Sequence, residues 1–91
     1  MKATRYIQNV IPQPEYTTIQ EPTTIYTKEP TSREELRITR TQRQDEDAPR
    51  VDIRYWTTHN DGKETAHRGG LRLTYQEAAA LRDALNAMTD L

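Results

Sequence analysis

The chain has 91 residues, a third of them apolar, with no Phe and no Cys. That allows one domain at most, with a core too small to stabilise a monomer generously and no disulfides to help it. Net charge is −1, which argues against a globally basic nucleic-acid binder, and no run approaches the roughly 18 apolar residues that span a bilayer.

A metal or a partner subunit is then the remaining source of stability, and a partner subunit is favoured. The absence of cysteine fits a reducing, intracellular setting: cytoplasm, nucleoid or nucleus. Met1-Lys2-Ala3-Thr4-Arg5 is not followed by an unbroken apolar stretch, so no signal peptide is expected.

Residues 1–33 are set apart by composition. Four of the five prolines lie here (Pro12, Pro14, Pro22, Pro30), among many Thr and single apolar residues such as Ile7, Val10, Ile11, Ile19 and Ile25. A faint repeat relates Thr17-Thr18-Ile19-Gln20-Glu21-Pro22 to the stretch from Thr23 to Pro30. Proline at this spacing blocks helix and interior strand alike, so an extended or disordered tail is expected. The rival is a pair of short Thr/Ile/Tyr strands docked on a sheet edge, because Thr-Thr-Ile and Thr-Ile-Tyr-Thr favour strand.

The second region, 34–91, has regular patterning. Leu36 to Thr41 alternates, with Leu36 and Ile38 on one face and Arg37, Thr39 and Thr41 on the other. Asp45-Glu46-Asp47-Ala48-Pro49 then breaks the strand and reads as a solvated turn; it lacks the glycine and later Glu of a calcium loop. Val51 to Thr58 is the clearest strand, with Val51, Ile53 and Tyr55 inward and Asp52, Arg54 and Trp56 outward. Asn60-Asp61-Gly62 supplies a hairpin turn. The returning strand, Thr65 to Leu73, turns Leu71 and Leu73 inward and Arg68 and Arg72 outward, and Gly69-Gly70 within it signals a bulge or a close backbone approach.

Thr74 and Glu77 form a capping box at the start of a helix expected to run to about Met88. Ala78, Leu81, Leu85 and Met88 fall on one stripe, and Leu81, Leu85 and Met88 are the expected dimer contacts. The fold class is therefore α+β: a small antiparallel sheet of three or four strands followed by one C-terminal helix, expected to form a homodimer because the core is thin.

Charge is unevenly distributed in this region. Between 36 and 73 there are eight basic residues against six acids, and four of those acids fall in the expected turns at 45–47 and 61. The sheet itself is thus expected to be basic, and it is the local field that attracts a polyanion. Outward Arg37, Arg54, Arg68 and Arg72, with Trp56 among them, are the ingredients of a single-strand platform: guanidinium groups for phosphates, an aromatic face for a base. The plain alternative is a solvated sheet face with a Trp covering the core. Lys63 and His67 flank the hairpin as phosphate contacts or as ordinary surface residues.

His59, Asp61, Glu64 and His67 contain metal-ligating groups, but a polar hairpin produces such a set by chance, so neither a metal nor any other cofactor is expected. Two His, no Cys and no evident carboxylate pair leave little for catalysis, and an enzyme is not expected.

The run Val51-Asp52-Ile53-Arg54-Tyr55-Trp56, then Asn60-Asp61-Gly62, then Arg68-Gly69-Gly70-Leu71-Arg72-Leu73-Thr74 and a helix resembles the single-stranded-DNA-binding domain of the transcriptional coactivator positive cofactor four. The resemblance covers about 36–90 and is sharpest over 51–74. It implies that the sheet is curved and that the chain forms a homodimer, which binds single-stranded DNA or melted duplex, with RNA as a further candidate, along basic sheet ridges. It also implies a role in transcription regulation, replication or repair beside the corresponding machinery. The chain departs from the family pattern in three places. Gly69 replaces a second basic residue, Ala78 stands where the family often has Trp, and Thr57 occupies the second aromatic position. These lower the expected phosphate affinity, thin the core or dimer interface, and leave the stacking role between Trp56 and Tyr55. The competing function on the same fold is a protein–protein module, adaptor or regulator, without a nucleic-acid surface.

Overall fold

The structure, a computed structural model, describes residues 15–30 and 33–91. Strands β1 (Tyr16–Lys28), β2 (Glu34–Arg43), β3 (Arg50–Thr58) and β4 (Glu64–Leu73) are followed by helix α1 (Tyr75–Ala87). The strands form one open antiparallel sheet in chain order, β1-β2-β3-β4. The α+β expectation of a small antiparallel sheet with a C-terminal helix holds, with four strands.

The fourth strand comes from the segment read as a tail. Tyr16–Lys28 pairs along the whole of β2 as an edge strand, with register shifts between Thr18 and Gln20, Gln20 and Thr23, and Thr24 and Tyr26. Pro22 sits inside the second of these irregular stretches, where its missing N–H breaks no regular ladder. Thr39 Oγ1 donates to the Gln20 carbonyl at 2.6 Å and so pairs a backbone acceptor at the irregularity. The tail expectation for 1–14, and for 31–32, lies outside the described residues.

The β2–β3 register is unbroken from Glu34 opposite Thr57 to Thr41 opposite Arg50. Alternation places Leu36, Ile38, Val51, Ile53 and Tyr55 on one face of the sheet and Arg37, Thr39, Thr41, Asp52, Arg54 and Trp56 on the other. The β3–β4 hairpin closes through Gly62, whose φ of +87° is the left-handed conformation the turn requires. Further along, Arg54 faces Gly70 while Trp56 faces Ala66, so β4 bulges over 67–69. A Cβ on Gly70 would lie 2.6 Å from Arg54 Cβ and 2.8 Å from the Ile53 carbonyl, whereas one on Gly69 would meet nothing within 4 Å. Gly70 is the close approach and Gly69 leaves room.

Helix α1 begins as the sequence specifies. Thr74 Oγ1 accepts from Glu77 N–H at 3.0 Å, and Thr74 N–H donates to Glu77 Oε1 at 2.8 Å. The helix packs on the apolar face against β3 and β4. Ala78, Leu81 and Leu85 of the helix line one groove with Ile25, Ile38 and Ile53 of the sheet. The core is as thin as the composition implies: among the described residues Val51 is the one apolar side chain classed as buried. Ile25, Tyr26, Leu85 and Met88 remain about half exposed. Met88 is the C-cap and lies just beyond the last helical residue.

Candidate nucleic-acid interface

The face away from α1 carries most of the residues singled out in the sequence, and it is shaped. A shallow trough of about 320 Å³ crosses it, with Tyr16 and Pro22 of β1 on one side and Trp56 and Ala66 on the other. Thr39 and Asp52, both buried, form its floor. Each of the two aromatic rings carries a guanidinium. Arg37 Cζ lies 5.4 Å from the centre of the Trp56 ring, and Arg72 Cζ lies 5.1 Å from the centre of the Tyr16 ring.

The three arginines that alternation places on this face, Arg37, Arg54 and Arg72, are indeed there, but none is an unpaired cation. Arg72 reaches across the sheet and makes five hydrogen bonds. Its acceptors are Glu46 Oε1 (2.6 Å) and Oε2 (2.9 Å), Asp52 Oδ2 (3.2 Å), Thr41 Oγ1 (2.9 Å) and the Thr41 carbonyl (3.3 Å). The fully engaged guanidinium is thereby a clamp joining β4 to β3, β2 and the β2–β3 turn. Arg54 is engaged in the same way. It grips both oxygens of Asp52 and donates to the carbonyls of His67 and Arg68 at 2.9 and 3.2 Å, tying off the bulge.

Arg37 differs in the kind of partner that holds it. Its Nη1 and Nη2 make a two-point fork on Glu64, at 3.0 and 2.9 Å, and its Nε donates to Glu35 Oε1 at 3.0 Å. Glu64 is 44 % exposed at the start of β4, while the Arg37 side chain beneath it is 13 % exposed. The hydrogen-bonded guanidinium holds Glu64 below the usual carboxylate range, and the same contacts raise Arg37.

Two expectations from charge patterning are overturned by these contacts. Glu46 is not part of a solvated turn: its side chain is 5 % exposed and folds back onto the sheet. There it accepts from Arg72 and from the Arg43 N–H at 3.1 Å, with the Arg50 guanidinium 3.7 Å away. The Arg72 hydrogen bonds pull its carboxyl down to about 2, against the opposing effect of burial. Nor do the acids keep to the ends of a basic sheet, since Asp52 lies at its centre between Arg54 and Arg72. The face is a lattice of alternating charges rather than a field of one sign.

The remaining sequence candidates fall elsewhere. Lys63 in the hairpin turn and Arg68 in the bulge are exposed and make no ion pair among the described residues. His67 lies on the helix side of the sheet. Its Nε2 is 2.7 Å from Thr57 Oγ1 and its ring is tilted against Tyr55 at 6.1 Å, so it does not join Trp56. Tyr55, the alternative stacking residue, is on that same side, with Lys28 Nζ 5.5 Å from its ring centre. His59 hydrogen bonds to Thr65 at 2.9 Å and Asp61 accepts from the Lys63 N–H, so the polar hairpin set is dispersed among separate partners. The described residues contain no group of three or more metal-ligating side chains.

Leu81 and Leu85 of the expected dimer stripe face their own sheet in part, while Met88 is 52 % exposed. Tyr16 was not reached from sequence. Its signal, an aromatic ahead of a Thr-rich stretch, is hidden among prolines.

Fold and site together define an open, four-stranded antiparallel α+β module with an aromatic-and-arginine trough on the sheet face opposite its helix. Comparison with family models, curated proteins and solved structures finds no match to this chain. No helix of the described residues is long and apolar enough to cross a membrane.

Proposed function

We propose that the chain is a single-stranded nucleic-acid-binding module whose site is the trough edge at Trp56 and Arg37. The observation that carries this reading is the Trp56 ring beneath the Arg37 guanidinium at the rim of an open trough. A base stacks on such a ring for about 1–3 kcal/mol, whatever its identity, while an adjacent guanidinium takes the phosphate. Lys63 and Arg68, free of carboxylates, supply further phosphate contacts at the hairpin end. The resemblance to positive cofactor four supports DNA as the polymer and transcription, replication or repair as the setting.

A second copy belongs to the same proposal. Ile25 and Leu85 line one apolar groove and stay half exposed, and Met88 adds to the apolar surface at the helix end. Covering them extends a core in which, among the described residues, Val51 is the one buried apolar side chain.

Titration of a labelled oligothymidylate with the full chain tests the reading. Binding is expected to favour single strands and to weaken with salt as counterions are released. Trp56→Ala is expected to reduce affinity about tenfold, the fold-change for roughly 1.4 kcal/mol of lost stacking. Equal or absent binding to single and double strands at low salt overturns it. One observation favours a protein–protein module instead: Arg54 and Arg72 are fully engaged within the sheet, which leaves that part of the face nearly neutral. Recovery of a stable protein partner after nuclease treatment, with no oligonucleotide shift, selects that alternative.

A further inference from the structure

The three guanidiniums of the trough face are not equally committed. Arg54 is fixed by a buried carboxylate and two backbone carbonyls, and Arg72 by a buried carboxylate, Asp52 and Thr41. Breaking either would uncover charge within the fold, at several times the cost of parting an exposed pair. Arg37 alone presents its fork to an exposed partner, Glu64. Two parallel N–H···O bonds to a planar two-oxygen anion are also the geometry in which arginine takes a phosphate. The Glu64 carboxylate therefore occupies the place beside Trp56 that a phosphodiester needs.

We propose that Glu64 is a built-in competitor, a phosphate stand-in that holds Arg37 closed and sets the affinity of the Trp56 subsite for a nucleic-acid backbone. This rests on the nucleic-acid reading above and adds its regulation. In the free chain Arg37 is neutralised by Glu64 and Glu35. A bound strand displaces the Glu64 carboxylate into solvent and keeps Glu35 as the support that aims the guanidinium. Glu64 then swings away on an exposed edge strand, so the exchange requires no unfolding of the sheet. The arrangement favours ligands that bring a stacking base and a phosphate together, because a lone anion must displace Glu64 without compensation from Trp56.

Glu64→Gln in the full chain, titrated with labelled oligothymidylate over a salt series, tests this. Affinity is expected to rise about three- to fivefold, the range for an exposed ion pair. The slope of log K against log salt is expected to steepen by about 0.7, because no displaced Glu64 carboxylate then takes up a cation to offset the one released from the phosphate. Glu64→Thr, which keeps strand propensity, is expected to give the same result. Asp83→Asn, an equal charge change on the helix, is expected to leave both quantities near wild type. Adding Arg37→Gln to Glu64→Gln is expected to abolish the gain.

If wild type binds and Glu64→Gln matches it in affinity and slope, the competitor is overturned while the nucleic-acid reading stands. Equal gains from Glu64→Gln and Asp83→Asn also overturn it, in favour of net charge alone. If none of these proteins binds at low salt, both readings fall.

Discussion

Glu46 offers the most direct check on the claim that the arginine face is a structural lattice. Its carboxylate, 5 % exposed, takes two hydrogen bonds from Arg72 and one from the Arg43 backbone. Glu46→Gln keeps the shape but removes the charge opposite a guanidinium that is itself 14 % exposed. Deleting one member of a buried pair costs roughly 3–5 kcal/mol. Arg72 retains Asp52 and Thr41, so about 2 kcal/mol is expected here. For a chain of this size that lowers Tm by about 10 °C.

The same residue sets an acid limit. Its folded pKa, about 2, is below the ordinary value of 4.5, so the native state holds this proton less readily than the unfolded chain does. The resulting stability is present in full above about pH 5 and is lost as pH falls towards 2. Urea denaturation followed by circular dichroism across that window should show a steeper acid decline for wild type than for Glu46→Gln. A variant within about 0.5 kcal/mol of wild type, with a parallel acid profile, would refute the lattice.

Two further outcomes follow from the packing. Gly70→Ala puts a methyl against Arg54 and the Ile53 carbonyl and is expected to cost about 2 kcal/mol, whereas Gly69→Ala one residue earlier is nearly neutral; equal effects in thermal melts would remove the close-approach explanation. Sedimentation at micromolar concentration is expected to give a dimer, and Leu85→Glu to shift it towards monomer; a wild-type monomer removes the second copy from the account.

The strands β2, β3 and β4 and the helix were legible because their signals are local. Two-residue alternation, the Asn60-Asp61-Gly62 turn and the Thr74/Glu77 box each act within a few residues. β1 was obscured because Pro22 argues against a regular strand, and only an irregular edge position reconciles it with pairing. At the site, alternation assigned Arg37, Arg54, Arg72 and Trp56 to one face correctly. It did not reveal that the arginines are spoken for, because several partners, Glu46, Glu64 and Thr41 among them, come from a turn or another strand. Asp52 was the available hint: two residues before Arg54 on an alternating strand, it had to share that face. Glu46 gave a weaker hint, with Arg43 three residues before it and Arg50 four after. For His67 the same count, with Leu71 and Leu73 inward, already gives the helix side of the sheet, away from Trp56, and the bulge at 67–69 leaves it there.

Trp56 is the single tryptophan of the chain, so its intrinsic fluorescence reports on the proposed site without a label. Titrating the full chain with unlabelled oligothymidylate at low salt is predicted to quench that fluorescence saturably, with recovery on adding salt. Unchanged Trp56 emission across the titration, with no shift in oligonucleotide mobility, would contradict the central claim that this sheet face stacks single-stranded nucleic acid.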